Sequence, residues 1–200
     1  TGESVECGTF ESDLASSFND TMVVDAKTHK LPAGAGADHL EGGNGSDYLS
    51  YQRSKNGVAV NLDANSLFGG DADGDIITNP GSFENVIGSG SSDTIVGNAA
   101  NNIIFGGEGD DTLQGYAAND TIYGGAGADV IAGDDGADWL DGGEGSDTLW
   151  YQGSSGAVSV NLRTSLVGGG YATGDTITIG SFENVIGSQF ADTIIGSAVS

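Results

Sequence analysis

The sequence has a single cysteine, Cys7, so it can form no intrachain disulfide. Two prolines in 200 residues exclude collagen and a polyproline linker. Basic residues are scarcer still: five Lys and Arg face 29 Asp and Glu, a net charge of −24. Five cations cannot neutralise a phosphate backbone, which excludes nucleic-acid binding. Anionic membrane surfaces repel the chain for the same reason. No apolar run approaches the ~18 residues of a membrane span. The first 30 residues lack the basic-then-apolar layout of a signal peptide. Only two His are present, His29 and His39, with no HExxH, and the many serines form no GxSxG elbow. No catalytic residues are therefore expected, and Cys7 reads as a small apolar side chain. Hydrophobic residues, at 37%, are too many for a disordered acidic tail and few for an ordinary core.

What the chain has instead is glycine, 36 of 200 residues, and a repeat. From Gly106 it reads GGEGDDTLQ, GYAANDTIY, GGAGADVIA, GDDGADWLD, GGEGSDTLW. The sixth place is always Asp: Asp111, Asp120, Asp129, Asp138 and Asp147. The eighth is always aliphatic: Leu113, Ile122, Ile131, Leu140 and Leu149. Looser units start at Ala33, Gly42, Gly88 and Gly97. A longer repeat, offset by 100, aligns GGNGSDYLSYQ at Gly42 with GGEGSDTLWYQ at Gly142, and both copies continue to SFENVIGS. A third copy, from Phe10, aligns with the stretch from Phe182. The expected blocks are 1–50, a partial first block; 51–87, degenerate inserted coils; 88–150, the main block; 151–186, a duplicate of the insert; and 187–200, the start of another. The chain reads as a piece of a longer array.

A nine-residue unit with repeated Gly cannot be helical, because each Gly costs up to about 1 kcal/mol there. GGxGxD is turn chemistry, and the three residues after it fit one short strand with its middle side chain inward. Two such units make an 18-residue coil. Stacked at ~4.8 Å, about 11 coils would form a rod roughly 50 Å long.

The GGxGxDxUx units resemble the repeats-in-toxin (RTX), or hemolysin-type, calcium-binding nonapeptide family. The resemblance implies an all-β fold, a right-handed parallel β-roll of 18-residue coils with calcium between stacked turns. It implies ligation by the sixth-place carboxylates and by carbonyls of places 2 and 4 on one turn and 1 and 3 on the next. Calcium takes six to eight hard oxygens, which two such turns can supply. The expected carbonyl donors are Gly107 and Gly109 with Gly124 and Ala126, then Gly125 and Gly127 with Gly142 and Glu144, and on the other edge Gly133 and Asp135. The carboxylate ladders are Asp111–Asp129–Asp147 and Asp120–Asp138, the first extended through Asp93 to Asp75. Asp20 with Asp38 is a further pair. Asn102 and Glu84 replace Asp at their sixth places and should weaken their sites. His29 opposite Asp47 is a poor calcium ligand. Asp175 and Asp192, 17 residues apart, should form a distorted pair. Asp71 and Asp73 begin an EF-hand-like DADGD without its Gly and Glu.

Calcium also answers the charge, since stacked carboxylates repel without a cation. The expectation is a chain unfolded without calcium and folded with roughly five to eight ions. That behaviour suits a secreted or cell-surface module of a larger Gram-negative bacterial protein exported by type I secretion, as the resemblance implies. Neighbouring modules of the same chain are expected partners. A second feature is an outward stripe of Ile103, Phe105, Thr121, Tyr123 and Trp139. The stripe, which ends at Asp141, would be covered by the inserted coils or a neighbouring module, or it would give Phe105, Tyr123 and Trp139 as a platform for carbohydrate or a cell surface, a role the Tyr51-Gln52 and Tyr151-Gln152 inserts could also take.

Overall fold

The computed structural model describes residues 4–7 and 17–197. Glu3, the side chains of Glu6 and Cys7, and most of the copy that starts at Phe10 lie outside the described residues. Strands two to seven residues long alternate between two faces, with a turn at each crossing.

One face holds β1 (Ser4–Cys7), β2 (Thr21–Val24), β4 (His39–Glu41) and β8 (Ile76–Ile77) in one parallel sheet. It continues with β10 (Thr94–Val96), β12 (Thr112–Gln114), β14 (Val130–Ala132), β16 (Thr148–Trp150) and β20 (Asn184–Ile186). The opposite face runs β3 (Lys30–Pro32), β5 (Tyr48–Ser50), β9 (Asn85–Ile87), β11 (Ile103–Glu108), β13 (Thr121–Gly127), β15 (Trp139–Gly145) and β19 (Thr176–Ile177). Neighbours in the main block pair in parallel with an 18-residue shift, as in Ile104↔Ile122↔Leu140 and Leu113↔Ile131↔Leu149. This is the parallel β-roll that the repeat predicts.

The eighth-place residues fill the space between the faces. Ile104, Ile122, Ile131, Leu140 and Leu149 are 0% exposed and Leu113 is 1% exposed. In the main block each short strand sends one aliphatic side chain inward, so the core there is two facing files of aliphatics, and the inserts add Tyr51, Phe83, Tyr151 and Phe182 to it.

The inserts depart from an all-parallel roll. Residues 59–68 form an antiparallel hairpin of β6 (Ala59–Asn61) and β7 (Ser66–Phe68). β6 pairs with β10, and β7 lies against β8. The duplicate forms β17 (Ser159–Asn161) and β18 (Leu166–Gly168), with β17 pairing β21 (Thr193–Ile195) and β18 lying against β19. The hairpins turn through Asn65 and Ser165, at φ 50° and 53°. The first hairpin enters the β8–β10 face and the second the β19–β21 face, because an odd number of half-coils separates the copies. Across each insert the stacking shift grows from 18 to 37 residues.

In the main block turns of successive coils touch so closely that the first place leaves no room for a side chain. A Cβ on Gly124 would collide with the Gly142 carbonyl and with Asp129 Oδ2, whereas Gly90, in a degenerate turn, has open space around it. Gly124→Ala should therefore cost about 1–3 kcal/mol by overpacking, while Gly90→Ala stays within about 0.5 kcal/mol as an unobstructed surface change. Thermal melts of the two variants in calcium check this. Equal melting temperatures would contradict the close packing.

Candidate metal sites

The turn that precedes each strand has a fixed backbone. In the unit from Gly124, Gly125 and Gly127 have φ of 117° and 149°, the left-handed region that favours glycine. The other edge reaches the same region at Tyr116, Ala118 and Asp134, with φ of 87°, 75° and 67°. Only a structure that over-determines the turn holds such residues there. On the glycine-rich edge the turns pair like strands: Gly107↔Gly125↔Gly143 and Glu108↔Ala126↔Glu144. The Gly109 N–H donates to the Ala126 carbonyl at 2.8 Å. On the other edge Ala117 bridges Asp135. Asp135 and Glu144 are themselves exposed, so what they present to the turn is backbone.

The sixth-place carboxylates follow one rule. Oδ1 of each accepts the backbone N–H of the sixth-place residue one coil earlier. Asp93 donates to Asp111, Asp111 to Asp129 and Asp129 to Asp147, at 2.7–2.8 Å. Asn102 donates to Asp120 and Asp120 to Asp138, both at 2.8 Å. Asp20 donates to Asp38 and His29 to Asp47, also at 2.8 Å. All of these carboxylates are buried.

The second oxygen is where they differ. Oδ2 of Asp38, Asp47, Asp111, Asp120, Asp129, Asp138 and Asp147 is buried and has no hydrogen-bond partner. Such an oxygen calls for a proton or a cation. It also has company. A Cβ on Gly106 would strike both Asp111 Oδ2 and the Gly124 carbonyl oxygen, and one on Gly124 both Asp129 Oδ2 and the Gly142 carbonyl. On the other edge Asp120 Oδ2 and the Gly133 carbonyl meet over Gly115. A carboxylate oxygen of one coil and a carbonyl oxygen of the next thus converge where glycine leaves space. Among the described residues no three His, Cys, Asp or Glu side chains come together as a metal-binding group. Any ion here must take most of its ligands from backbone carbonyls. That donor set is all hard oxygen, which fits calcium and not the nitrogen- and sulfur-seeking metals.

Several expected pairings are re-sorted by the inserts. Asp75 does not stack on Asp93. Its Oδ1 accepts the Asp38 N–H at 2.8 Å, because β8 continues β4 and the hairpin stands between β8 and β10. Asp93 instead accepts the Val58 N–H at 2.7 Å and the Ser89 hydroxyl on Oδ1, and the Ser89 N–H on Oδ2. Asp175 likewise sits on Asp138 at 3.0 Å and not on Asp192, which accepts the Val158 N–H. Glu84 reaches back to the Asp47 N–H, and Asn102 caps the Glu84 carbonyl. His29 Nδ1 lies 3.4 Å from Asp47 Oδ1. Sequence reasoning underrated Asp47, whose orphaned oxygen matches the others, missed Ser89, and offered Tyr51 and Tyr151 as recognition residues although both are buried. The Tyr51 and Tyr151 hydroxyls donate to Oδ2 of Asp75 and Asp175 at 2.8 and 2.7 Å. The 100-residue repeat of the YQ pair marked both positions.

Phe105, Tyr123 and Trp139 are half-buried on the β11–β13–β15 face. Phe105 and Tyr123 lie 4.8 Å apart with planes 4° apart, and Trp139 tilts against Tyr123 at 4.9 Å. The ring faces between them are occupied by one another.

Burial pushes the Asp111 and Asp120 carboxyls up to about 7 and Asp129 to about 6, against the N–H donor that lowers each. Asp38, Asp47, Asp138 and Asp147 are raised for the same first reason.

An all-β roll whose stacked turns pair buried carboxylates with carbonyl oxygens defines a cation-binding solenoid. Residues 33–51, 87–121 and 114–149 match the family model of the RTX calcium-binding nonapeptide repeat (4 copies). No curated protein matches the chain.

The raised carboxyls set a pH dependence for the metal-free chain. The folded form holds protons that the unfolded form, with ordinary carboxyls near 4, has released. Its stability is present at low pH and lost as pH rises from about 4 to about 7. In EDTA the β-sheet circular dichroism signal should therefore grow as pH falls from 7.5 to 5. A signal that is flat or shrinks over that range would contradict the burial of these groups.

Proposed function

We propose that this calcium-binding β-roll is a folding module of a larger secreted bacterial protein, ordered by calcium outside the cell. The observation that carries the reading is the set of seven buried, unpartnered carboxylate oxygens in one register. Without cations these oxygens cost desolvation and repel one another, which the thin core between the two sheets has to offset together with the chain entropy. Binding energy then serves as folding energy.

Extracellular calcium modules bind at roughly 10⁻⁴ to 10⁻³ M, far above free cytosolic calcium. Such a module stays unfolded where it is made and folds after export. That coupling supports passage through a type I channel as an extended chain and gives the parent a stabilising segment on arrival.

Titrating calcium at pH 7.5 under circular dichroism should convert a disordered spectrum into a β-sheet one, with a midpoint of roughly 10⁻⁴ to 10⁻³ M. Magnesium at the same concentration should fail, because it keeps its waters and demands tighter octahedral geometry. A chain equally β-rich in EDTA would overturn the proposal.

A further inference from the structure

The inserts contain a contact that the plain repeats lack. At seven sixth-place carboxylates Oδ2 is orphaned, but at Asp75 and Asp175 it receives a tyrosine hydroxyl at 2.8 and 2.7 Å. Tyr51 and Tyr151 follow directly on β5 and β16 and run through the core, 0% and 1% exposed. Oδ1 of the same carboxylates takes the usual backbone N–H, from Asp38 and Asp138. Both oxygens are thus satisfied inside the protein. The succession of N–H to carboxylate contacts also stops here. The Asp75 N–H turns to the Ala72 carbonyl at 3.3 Å, within the tight 3₁₀ turn Gly70–Ala72. The next ladder starts afresh from Val58 to Asp93, and in the duplicate from Val158 to Asp192.

We propose that Tyr51 and Tyr151 are hydroxyl clamps that close the calcium ladders, each filling the place a cation takes elsewhere, so that Asp75 and Asp175 hold no calcium although they stand at the sixth place. This rests on the calcium reading above and decides which turns it applies to. The clamps make each insert a calcium-free seam. The first ends the ladder Asp20–Asp38–Asp75 and the second the ladder Asn102–Asp120–Asp138–Asp175. Sequence spacing alone had made Asp75 a ligand. The clamp is the physical reason that it is not one.

The test compares calcium stoichiometry of the whole chain, by isothermal titration and native mass spectrometry, across three proteins. In Asp75→Asn/Asp175→Asn the amide nitrogen can donate to the tyrosine oxygen while the amide oxygen accepts the backbone N–H, so the clamp survives and the ion count should equal wild type. In Asp111→Asn/Asp129→Asn the count should fall by at least one. Loss of ions from the first variant overturns the clamp assignment and leaves the calcium reading standing. A wild-type chain that binds no calcium overturns both. Tyr51→Phe/Tyr151→Phe removes only the hydroxyls and leaves two further orphaned oxygens. Its calcium midpoint for folding should rise at least twofold, and a midpoint equal to wild type overturns the clamp.

Discussion

Seven of the sixth-place carboxylates are fixed through one oxygen and unfinished at the other. The backbone N–H of the previous coil positions Oδ1, and that same bond sets the 18-residue shift of the roll. The fixed geometry forces Oδ2 into a place that water does not reach. In the plain repeats the contact that sets the coil register therefore also leaves a buried carboxylate oxygen in want of a proton or a cation. Fold and binding are one constraint seen from two sides, and the chain's excess of acid is its visible cost.

The periodicity made the main block legible. Every eighth-place aliphatic from Leu113 to Leu149 is buried, and Asp111, Asp129 and Asp147 stack in the order that counting in nines gives. Counting failed at the inserts because spacing assumes that the chain keeps circling. Between Ser50 and Asp75 the chain makes a hairpin instead, and Asp75 lands on Asp38. The alternation in VAVNL was visible, but the left-handed turn was signalled by Asn65 in one copy and only by Ser165 in the other. The role of the tyrosines was hidden for a different reason. A buried aromatic near a strand end reads as core, and only the three-dimensional path shows its hydroxyl arriving at a carboxylate.

The two edges solve the same turn with different residues. One uses glycine at the left-handed places, while the other holds Tyr116, Ala118 and Asp134 there. The repeat therefore specifies a backbone shape more strictly than a composition. Where that shape is given up, as between Gly88 and Asp93, serine supplies the missing donors from within the turn. A degenerate unit can in this way keep its strand pairing with a different set of turn contacts, which explains how irregular units sit inside the roll without ending it.

The placement of the hairpins has a mechanical consequence. Each adds two strands, about 10 Å of stacking, to one face of the rod and none to the other. Copies separated by an even number of half-coils would lengthen the same face each time, and a long array would curl into an arc. The odd separation assigns successive additions to opposite faces, so any bend from one is reversed by the next. In this chain the two additions thus fall on opposite faces, and the 100-residue offset leaves the rod axis straighter than two additions on one face would.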